Sequence, residues 1–164
     1  MNTGSQPSQY STHQQLLVKA VLNTGGPIVE LGAGYYSTPI LHELALSQRR
    51  HLFTFDNNYE WIKQFEYLKG TLHSIDFVPI WEKLFIRMSF GIVFVDQAPG
   101  EAREFSIGSF RHCADVLVLH DTENLVEYGY QRVLPTFEFQ YTDKTQPTWT
   151  TVCSDKIDVK EWFV

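Results

Sequence analysis

The chain has 164 residues, a formal net charge of −6 and a hydrophobic share of 43%, with 12 Phe, 8 Tyr and 4 Trp. This length suits one domain with a continuous core, and the apolar share excludes a disordered chain. The acidic balance and the lack of a basic run disfavour nucleic acid as a partner. The sequence has no targeting pattern and no apolar run of roughly 18 residues, so no membrane contact is expected.

The two cysteines, Cys113 and Cys153, lie far apart in the sequence. They match no metal-binding spacing, and a disulfide framework would need more cysteines in a shorter chain. A reducing, cytoplasmic location is therefore expected.

Strand-like and helix-like segments alternate along most of the chain. Residues 1–10 are polar and rich in Ser, Pro and Gly, which predicts a flexible N-terminal arm, and residues 11–164 are expected to form one domain. In chain order the pattern predicts helix STHQQLLVKAVL, strand PIVEL, helix STPILHELALSQ, strand HLFTFD and helix NYEWIKQFEYLK. Then follow strand LHSIDFVPI, at most a short helix at WEKLFIRMS, strand FGIVFVD, helix EAREFSIGSFRHC, strand ADVLVLHD and helix TENLVEYGYQRVL.

The last part of the chain departs from this alternation. Two strand-like segments, FEFQYTDK and TWTTVCS, are separated only by TQP, which is too short for a parallel crossover and predicts an antiparallel hairpin. The earlier strands are almost continuously apolar, as in parallel sheets covered by helices on both faces. The predicted fold class is α/β: a Rossmann-like three-layer sandwich with a mostly parallel seven-stranded sheet and a terminal antiparallel hairpin.

A Gly-x-Gly turn follows the first strand, in the segment VELGAG. Gly32 and Gly34 allow the backbone to approach a ligand closely, although a purely structural turn has the same letters. Glu30 precedes them, and its carboxylate would repel a dinucleotide pyrophosphate by roughly several kcal/mol. Ser37 also replaces the small residue of the dinucleotide fingerprint. A phosphate-free ligand with a positive amino group is expected, unless Glu30 only caps the turn or pairs with a lysine.

The segment VELGAGYYST resembles the first motif of the class I S-adenosylmethionine-dependent methyltransferases, and the closing hairpin is typical of that family. The resemblance covers essentially the whole chain from the first helix to TVCSD. It implies S-adenosyl-L-methionine as the cofactor, with Glu30 facing its methionine end. The backbone of Gly32, Ala33 and Gly34 is expected beneath it, with Ser37 in the same cofactor site.

The second strand ends in Asp56, about twenty residues after the glycines, which is the separation at which an acid meets ribose hydroxyls. The resemblance makes Asp56 the ribose residue, with Asn57 beside it, while a simple helix-capping role for Asp56 is compatible with this. Trp81 is the predicted partner of the adenine ring, although a Trp on such a short segment is more often part of the core.

Asp96 and Asp121 end the fourth and fifth strands, next to where the methyl donor is expected. Either acid is a candidate general base, and Asp96 is also assigned to the cofactor site. Metal-dependent O-methyltransferases of this superfamily have an Asp-Asn pair after the fifth strand, where this chain has Thr122. Glu123 could supply the missing oxygen, so Asp96, Asp121 and Glu123 form a candidate divalent-metal site.

The segments VDQAPGEAR and VLHDTENLVE resemble those of sugar O-methyltransferases that modify glucuronic acid in plant xylan, although Pro99 is one place late. This resemblance suggests Asp96 or Asp121 as the base, with His120 and Arg103 placed to contact a polar or anionic acceptor. His120 is also a catalytic candidate, and Glu123 a candidate acceptor contact. His120 is alternatively a buried histidine bonded to the backbone, and Arg103 a solvated helix residue.

The predicted function is therefore S-adenosylmethionine-dependent methyl transfer to a hydroxyl of a sugar or another small polar molecule. The alternative is a module that binds the cofactor without catalysis and acts as a subunit or scaffold. A nicotinamide-dependent oxidoreductase is disfavoured by Glu30 and the hairpin. The oligomeric state is left open.

Overall fold

A seven-stranded sheet forms the centre of the computed structural model, which describes residues 11–163; the predicted N-terminal arm, residues 1–10, lies outside the described residues. The strands, in chain order, are β1 (Ile28–Leu31), β2 (Leu52–Asp56), β3 (His73–Phe77), β4 (Phe90–Val95), β5 (Ala114–His120), β6 (Phe139–Asp143) and β7 (Thr150–Ser154). Their order across the sheet is β3-β2-β1-β4-β5-β7-β6.

Strands β1 to β5 are parallel, and β7 is antiparallel to both β5 and β6. The predicted fold class, including the closing hairpin, is confirmed. The strand order reverses between β1 and β4, and the carboxyl ends of these strands therefore border a crevice where ligands bind in folds of this kind.

Five α-helices and several 3₁₀ segments connect the strands among the described residues. The helices are α1 (Gln14–Leu22), α2 (Thr38–Gln48), α3 (Tyr59–Ile62), α4 (Arg103–Phe110) and α5 (Tyr130–Val133). None of the helices in this part of the chain is long and apolar enough to span a bilayer.

Two of the predicted helices are wrong in extent. The helix expected after β2 is the short α3 followed by a 3₁₀ segment, Lys63–Leu68. Its buried residues Ile62, Phe65 and Leu68 recur every three positions, which matches three residues per turn. The helix expected after β5 contains only α5, because the Thr122 amide donates to the Trp149 carbonyl, which fixes the preceding segment against the start of β7.

Alternate residues of the central strands point into two hydrophobic layers. In β4, Val93 and Val95 belong to one layer, and Ile92 and Phe94 belong to the other. This arrangement explains why β4 reads as a continuous apolar run. The C-terminal segment covers the second layer, where the Phe163 ring stacks on Tyr141 at a centroid distance of 4.4 Å.

Gly32 joins the turn after β1 to the end of β4. Its φ angle is +92°, and an added Cβ would lie 2.6 Å from the Asp96 carbonyl oxygen and 2.8 Å from the Gln97 Cα. Backbone atoms cannot move aside as a flexible side chain would, so glycine is required at this position.

We expect Gly32→Ala to lower the free energy of unfolding by about 2–3 kcal/mol, because of the left-handed φ and the backbone clash. Urea denaturation measures the change. Gly108→Ala is the matched control, since Gly108 is exposed in α4 with open space around it; it should leave stability unchanged or slightly higher. Equal stabilities of the two variants would contradict the assignment.

Candidate functional site

A cavity of about 620 Å³ opens at the carboxyl ends of β1, β4 and β5, beside the point where the strand order reverses. Its volume is in the range of clefts that hold cofactors and drug-sized molecules. The lining residues are His13, Ala33, Gly34, Tyr35, Tyr36, Ser37, Trp61, Asp96, His120, Asp121, Glu123, Asn124, Tyr128 and Thr148.

Asp56 holds the glycine turn from one side. One of its carboxylate oxygens accepts the Ala33 amide at 3.0 Å, and the other accepts the Asn58 amide at 2.7 Å. Asp56 is buried and does not line the cavity, and neither does the half-buried Asn57. The predicted contact of Asp56 with a ribose stays a prediction, since a carboxylate has lone pairs beyond these two bonds.

Glu30 holds the same turn from beneath. Its two carboxylate oxygens accept the hydroxyls of Thr38 at 3.0 Å and Thr54 at 2.8 Å, and the Thr38 hydroxyl in turn accepts the Gly34 amide at 2.9 Å. Glu30 is fully buried and does not line the cavity. Burial raises its pKa to about 7, although the surrounding hydroxyls favour the ionised form.

Arg103 connects the loops that follow β4 and β5. Its buried guanidinium donates to the carbonyls of Gln97 at 2.9 Å and His120 at 2.8 Å. It also forms ion pairs with Asp96 at 3.0 Å and with Asp121 at 3.2 Å. Arg103 does not line the cavity, so the predicted contact between its side chain and an acceptor is not supported by this geometry.

His120 lies between the two aspartates and a pair of threonines. Its Nδ1 is 3.2 Å from Asp96 Oδ1 and 3.5 Å from Asp121 Oδ1, and its Nε2 is 3.1 Å from the Thr12 hydroxyl and 3.4 Å from that of Thr148. The hydrogen bond and charge of Asp96, with the charge of Asp121, outweigh burial and raise the His120 pKa.

The two aspartates have opposite pKa shifts. Burial disfavours ionised Asp96, but the hydrogen bond and charge of His120 and the charge of Arg103 prevail and lower its pKa. Burial raises the pKa of Asp121, against the charges of His120 and Arg103. Asp121 also has a left-handed backbone, with φ at +55°, which is uncommon outside glycine.

His13, at the N-terminal end of α1, was not identified from the sequence. It is 2% exposed, lines the cavity, and packs against His120 with ring centroids 4.7 Å apart. Among residues 11–163, no group forms a hydrogen bond with either imidazole nitrogen, although the nearby Tyr36 backbone favours the protonated ring. Burial and the neighbouring His120 lower its pKa to about 4, which leaves the ring neutral near pH 7.

Aromatic side chains form the outer wall of the cavity. Trp61 donates its indole N–H to the Ala33 carbonyl at 2.7 Å and contacts the Tyr35 ring edge to face. On the other side, Tyr128 packs so closely over Gly100 that an added Cβ would lie 2.1 Å from its ring. The absence of a side chain at Gly100 therefore makes room for a cavity wall.

The predicted adenine partner, Trp81, is not part of this wall. It is 3% exposed within the core, and its indole N–H donates to the Ala98 carbonyl at 2.8 Å. Trp81 therefore has the alternative role named in the sequence analysis, that of a core residue. No motif distinguished Trp61, which follows Asp56 by five residues on α3.

Some of the predicted site residues line the cavity, and others lie outside its lining. Ala33, Gly34, Ser37, Asp96, His120, Asp121 and Glu123 line the cavity. Glu30, Gly32, Asp56, Asn57, Trp81 and Arg103 do not line it.

The predicted all-acid metal site does not form a compact cluster. Glu123 Oε2 accepts the Trp149 amide at 2.7 Å, and Asp121 is paired with Arg103. Among residues 11–163, the group whose ligand atoms all lie within 4.8 Å of one another is His13, Asp96 and His120.

No protein-family model matches this chain, and no curated protein is significantly similar to it. Among solved structures, an S-adenosylmethionine-dependent O-methyltransferase from Thermotoga maritima is similar, with a TM-score of 0.66 and 12% identity over 93% of this chain and 68% of that one. The SAH-bound methyltransferase PaMTH1 from Podospora anserina matches with a TM-score of 0.65 and 11% identity, over 91% of this chain and 80% of that one.

Cofactor-bound Rv0187 from MTB matches with a TM-score of 0.64 and 14% identity, covering 96% of this chain and 84% of that one. At such identities, the similarity shows that the chain has the Rossmann-like fold of methyltransferases. It does not transfer an activity or a set of residues.

The raised pKa of Glu30 gives a testable pH dependence. Protonated Glu30 contributes stability that is fully present below a pH of about 4.5 and is lost as the pH rises through 7. The lost contribution is roughly 1.4 kcal/mol per pH unit, or on the order of 3 kcal/mol in all. Because Glu30→Gln cannot ionise, its stability relative to the wild type should rise by that amount between pH 4.5 and 7.5.

Urea denaturation at a series of pH values measures this difference. The exposed Glu66→Gln is the control for loss of one carboxylate. Parallel stability curves for the wild type and Glu30→Gln would show that Glu30 does not titrate in this range.

Proposed function

We propose that this protein is an S-adenosylmethionine-dependent methyltransferase that methylates a hydroxyl of a small polar acceptor. The observation that carries the proposal is the charge of the cavity above the glycine turn. Asp96, Asp121 and Glu123 line it, and no Lys or Arg is among the lining residues within residues 11–163. A ligand with a sulfonium and an ammonium group, and no phosphate, fits this charge.

The same charge argues against a nicotinamide dinucleotide. A pyrophosphate at this turn would face three carboxylates, and the described part of the lining holds no Lys or Arg to pair with it. The start of α2 offers it few donors, because the amides of Ser37 and Thr38 already donate to the Gly34 carbonyl. Pro39 has no N–H to offer. The sequence predicted a phosphate-free ligand from Glu30. Glu30 itself is buried behind the turn, and the acids that support this prediction are those that line the cavity.

The described residues fit the cofactor in part. Ala33 and Gly34 offer the closely approachable backbone, and Trp61 and Tyr35 offer aromatic surface for a planar ring. Asp96 and Asp121 offer negative charge for the cationic end. When bound, S-adenosylmethionine supplies a methyl group already activated on a sulfonium.

The chain itself must orient the acceptor hydroxyl and take its proton. Asp121 is the proposed base, because burial raises its pKa toward the working pH and its side chain lines the cavity. Asp96 is better suited to orientation, since its lowered pKa keeps it ionised between Arg103 and His120.

The acceptor is proposed to be a neutral polyol or a similar polar molecule. Asn124 and Thr148 add hydrogen-bonding groups to the lining, which suits hydroxyls. Arg103 uses its donors on protein groups, so an anionic acceptor such as a glucuronate lacks the cation that the sequence had suggested. The likeness to the glucuronoxylan-type enzymes therefore remains a prediction about these segments.

Binding and turnover test the proposal separately. Calorimetry with S-adenosylmethionine, S-adenosylhomocysteine and NAD should give binding of the first two and none of NAD. A panel of hydroxyl acceptors with a labelled methyl group should then yield one methylated product. Cofactor binding without any product would favour the non-catalytic module, and binding of NAD alone would favour the oxidoreductase.

Among the aromatic residues of the cavity wall, Trp61 should contribute most to cofactor binding. We expect Trp61→Ala to raise the dissociation constant of S-adenosylhomocysteine at least tenfold, because it removes a wall and the bond to the Ala33 carbonyl. Tyr67→Ala is the control, since Tyr67 is 73% exposed and outside the cavity lining. Calorimetry that gives equal affinities would remove Trp61 from the site.

Asp121→Asn should lower kcat at least 100-fold with the acceptor found in the panel, while the affinity for S-adenosylhomocysteine changes less than threefold. The amide preserves the size of the side chain but cannot accept the proton. Asp115→Asn is the matched control, because Asp115 lies near the opposite end of β5 and pairs with Lys156. Near-normal turnover of Asp121→Asn would exclude this carboxylate as the base.

A further inference from the structure

The inner end of the cavity contains a histidine with no assigned role. The His13 imidazole is almost completely buried, yet neither of its nitrogens has a hydrogen-bond partner in the part of the chain that the structure describes. Burial of a polar group without a partner costs about 1–3 kcal/mol, so such a group calls for an explanation. His13 also lines the cavity, where an additional species would satisfy a nitrogen.

We infer that His13, Asp96 and His120 form a binding site for one divalent transition-metal ion, of which Zn²⁺ is the representative. One ligand atom from each residue lies within 4.8 Å of the others. Two ligand atoms of a tetrahedral zinc ion are about 3.4 Å apart, given bonds of about 2.1 Å. The separation of His120 Nδ1 and Asp96 Oδ1, 3.2 Å, already matches this, and only His13 must approach.

The second nitrogen of His120 supports the assignment. A histidine that binds a metal through one nitrogen almost always holds the other in a hydrogen bond, which fixes the ring. His120 Nε2 lies 3.1 Å from the Thr12 hydroxyl and 3.4 Å from the Thr148 hydroxyl. Nδ1 therefore faces Asp96 as the available ligand atom.

The set of donors selects the class of ion. Two imidazoles and one carboxylate suit Zn²⁺, Co²⁺ and related ions, whereas Mg²⁺ and Ca²⁺ prefer oxygen ligands. Three protein ligands also leave a coordination position, and all three residues line the cavity. Once His120 is neutral, as a metal ligand must be, Asp96 and Asp121 offset Arg103 with one negative charge to spare, which favours an added cation.

Metal binding is measured on the full chain after treatment with a chelator and without S-adenosylmethionine, so that the result stands apart from methyl transfer. Calorimetry with Zn²⁺ should show one site, and Mg²⁺ should not compete at millimolar concentration. Co²⁺ should give visible absorption typical of low coordination, and pulsed EPR of the Cu²⁺-loaded chain should count two imidazoles.

Variants separate this site from the all-acid one. His13→Gln should weaken Zn²⁺ binding at least tenfold and reduce the imidazole count to one, whereas His112→Gln, an exposed control, should change neither. Glu123→Gln should leave Zn²⁺ affinity unchanged. The inference is overturned if the wild type shows no stoichiometric Zn²⁺ binding, if its EPR shows fewer than two imidazoles, or if Glu123→Gln abolishes binding.

Discussion

The buried guanidinium of Arg103 is the constraint on which the cavity depends. It is 5% exposed and bonds the carbonyl after β4, the carbonyl that ends β5, and both strand-end aspartates. Loss of one partner from such a buried set costs about 3–5 kcal/mol, because the remaining charges are left without compensation. Its position fixes the distance between Asp96 and Asp121, and thereby the orientation of His120.

Four strand-end acids have two different physical roles. At the ends of β1 and β2, Glu30 and Asp56 are turned toward backbone amides and hydroxyls, and they hold the glycine turn in place. At the ends of β4 and β5, Asp96 and Asp121 face the cavity. The two pairs also differ in the groups that compensate their charge. Asp96 and Asp121 have the buried Arg103 guanidinium beside them, whereas Glu30 and Asp56 are held by hydroxyls and amides.

The sequence was sufficient for the fold and for part of the site. Continuous apolar strands, the short connection in the hairpin and the alternation of elements each depend on local patterns, and the sheet confirms the resulting fold. The hairpin connection itself is longer than expected, because β6 ends at Asp143 and β7 begins only at Thr150. The extent of α3 and α5 depends on tertiary contacts that the sequence does not show. The segment before α5 is fixed by the Thr122 amide, which donates to the Trp149 carbonyl. The segment after α3 is 3₁₀, with Phe65 and Leu68 buried on one side.

Side-chain direction accounts for most of the remaining differences in the site. The sequence shows that Glu30 lies near the end of a strand. Its side chain faces Thr38 of α2 and Thr54 of β2, and this direction depends on the fold. Trp61 and Trp81 carry the same side chain, and only the fold distinguishes the cavity wall from the core. No motif marks such a residue.

His13 is a site residue that the sequence did not identify. It lies more than 80 residues before Asp96 in the sequence, at the N-cap of α1, where the neighbouring Gln14 and Gln15 are polar and no motif distinguishes it. Parallel strands bring β4 and β5 together, and α1 packs across them, so three distant residues meet at one end of the sheet. An unpartnered nitrogen inside a cavity is then the observation that gives this residue a chemical meaning, because a buried polar atom without a bond is costly unless it serves another species.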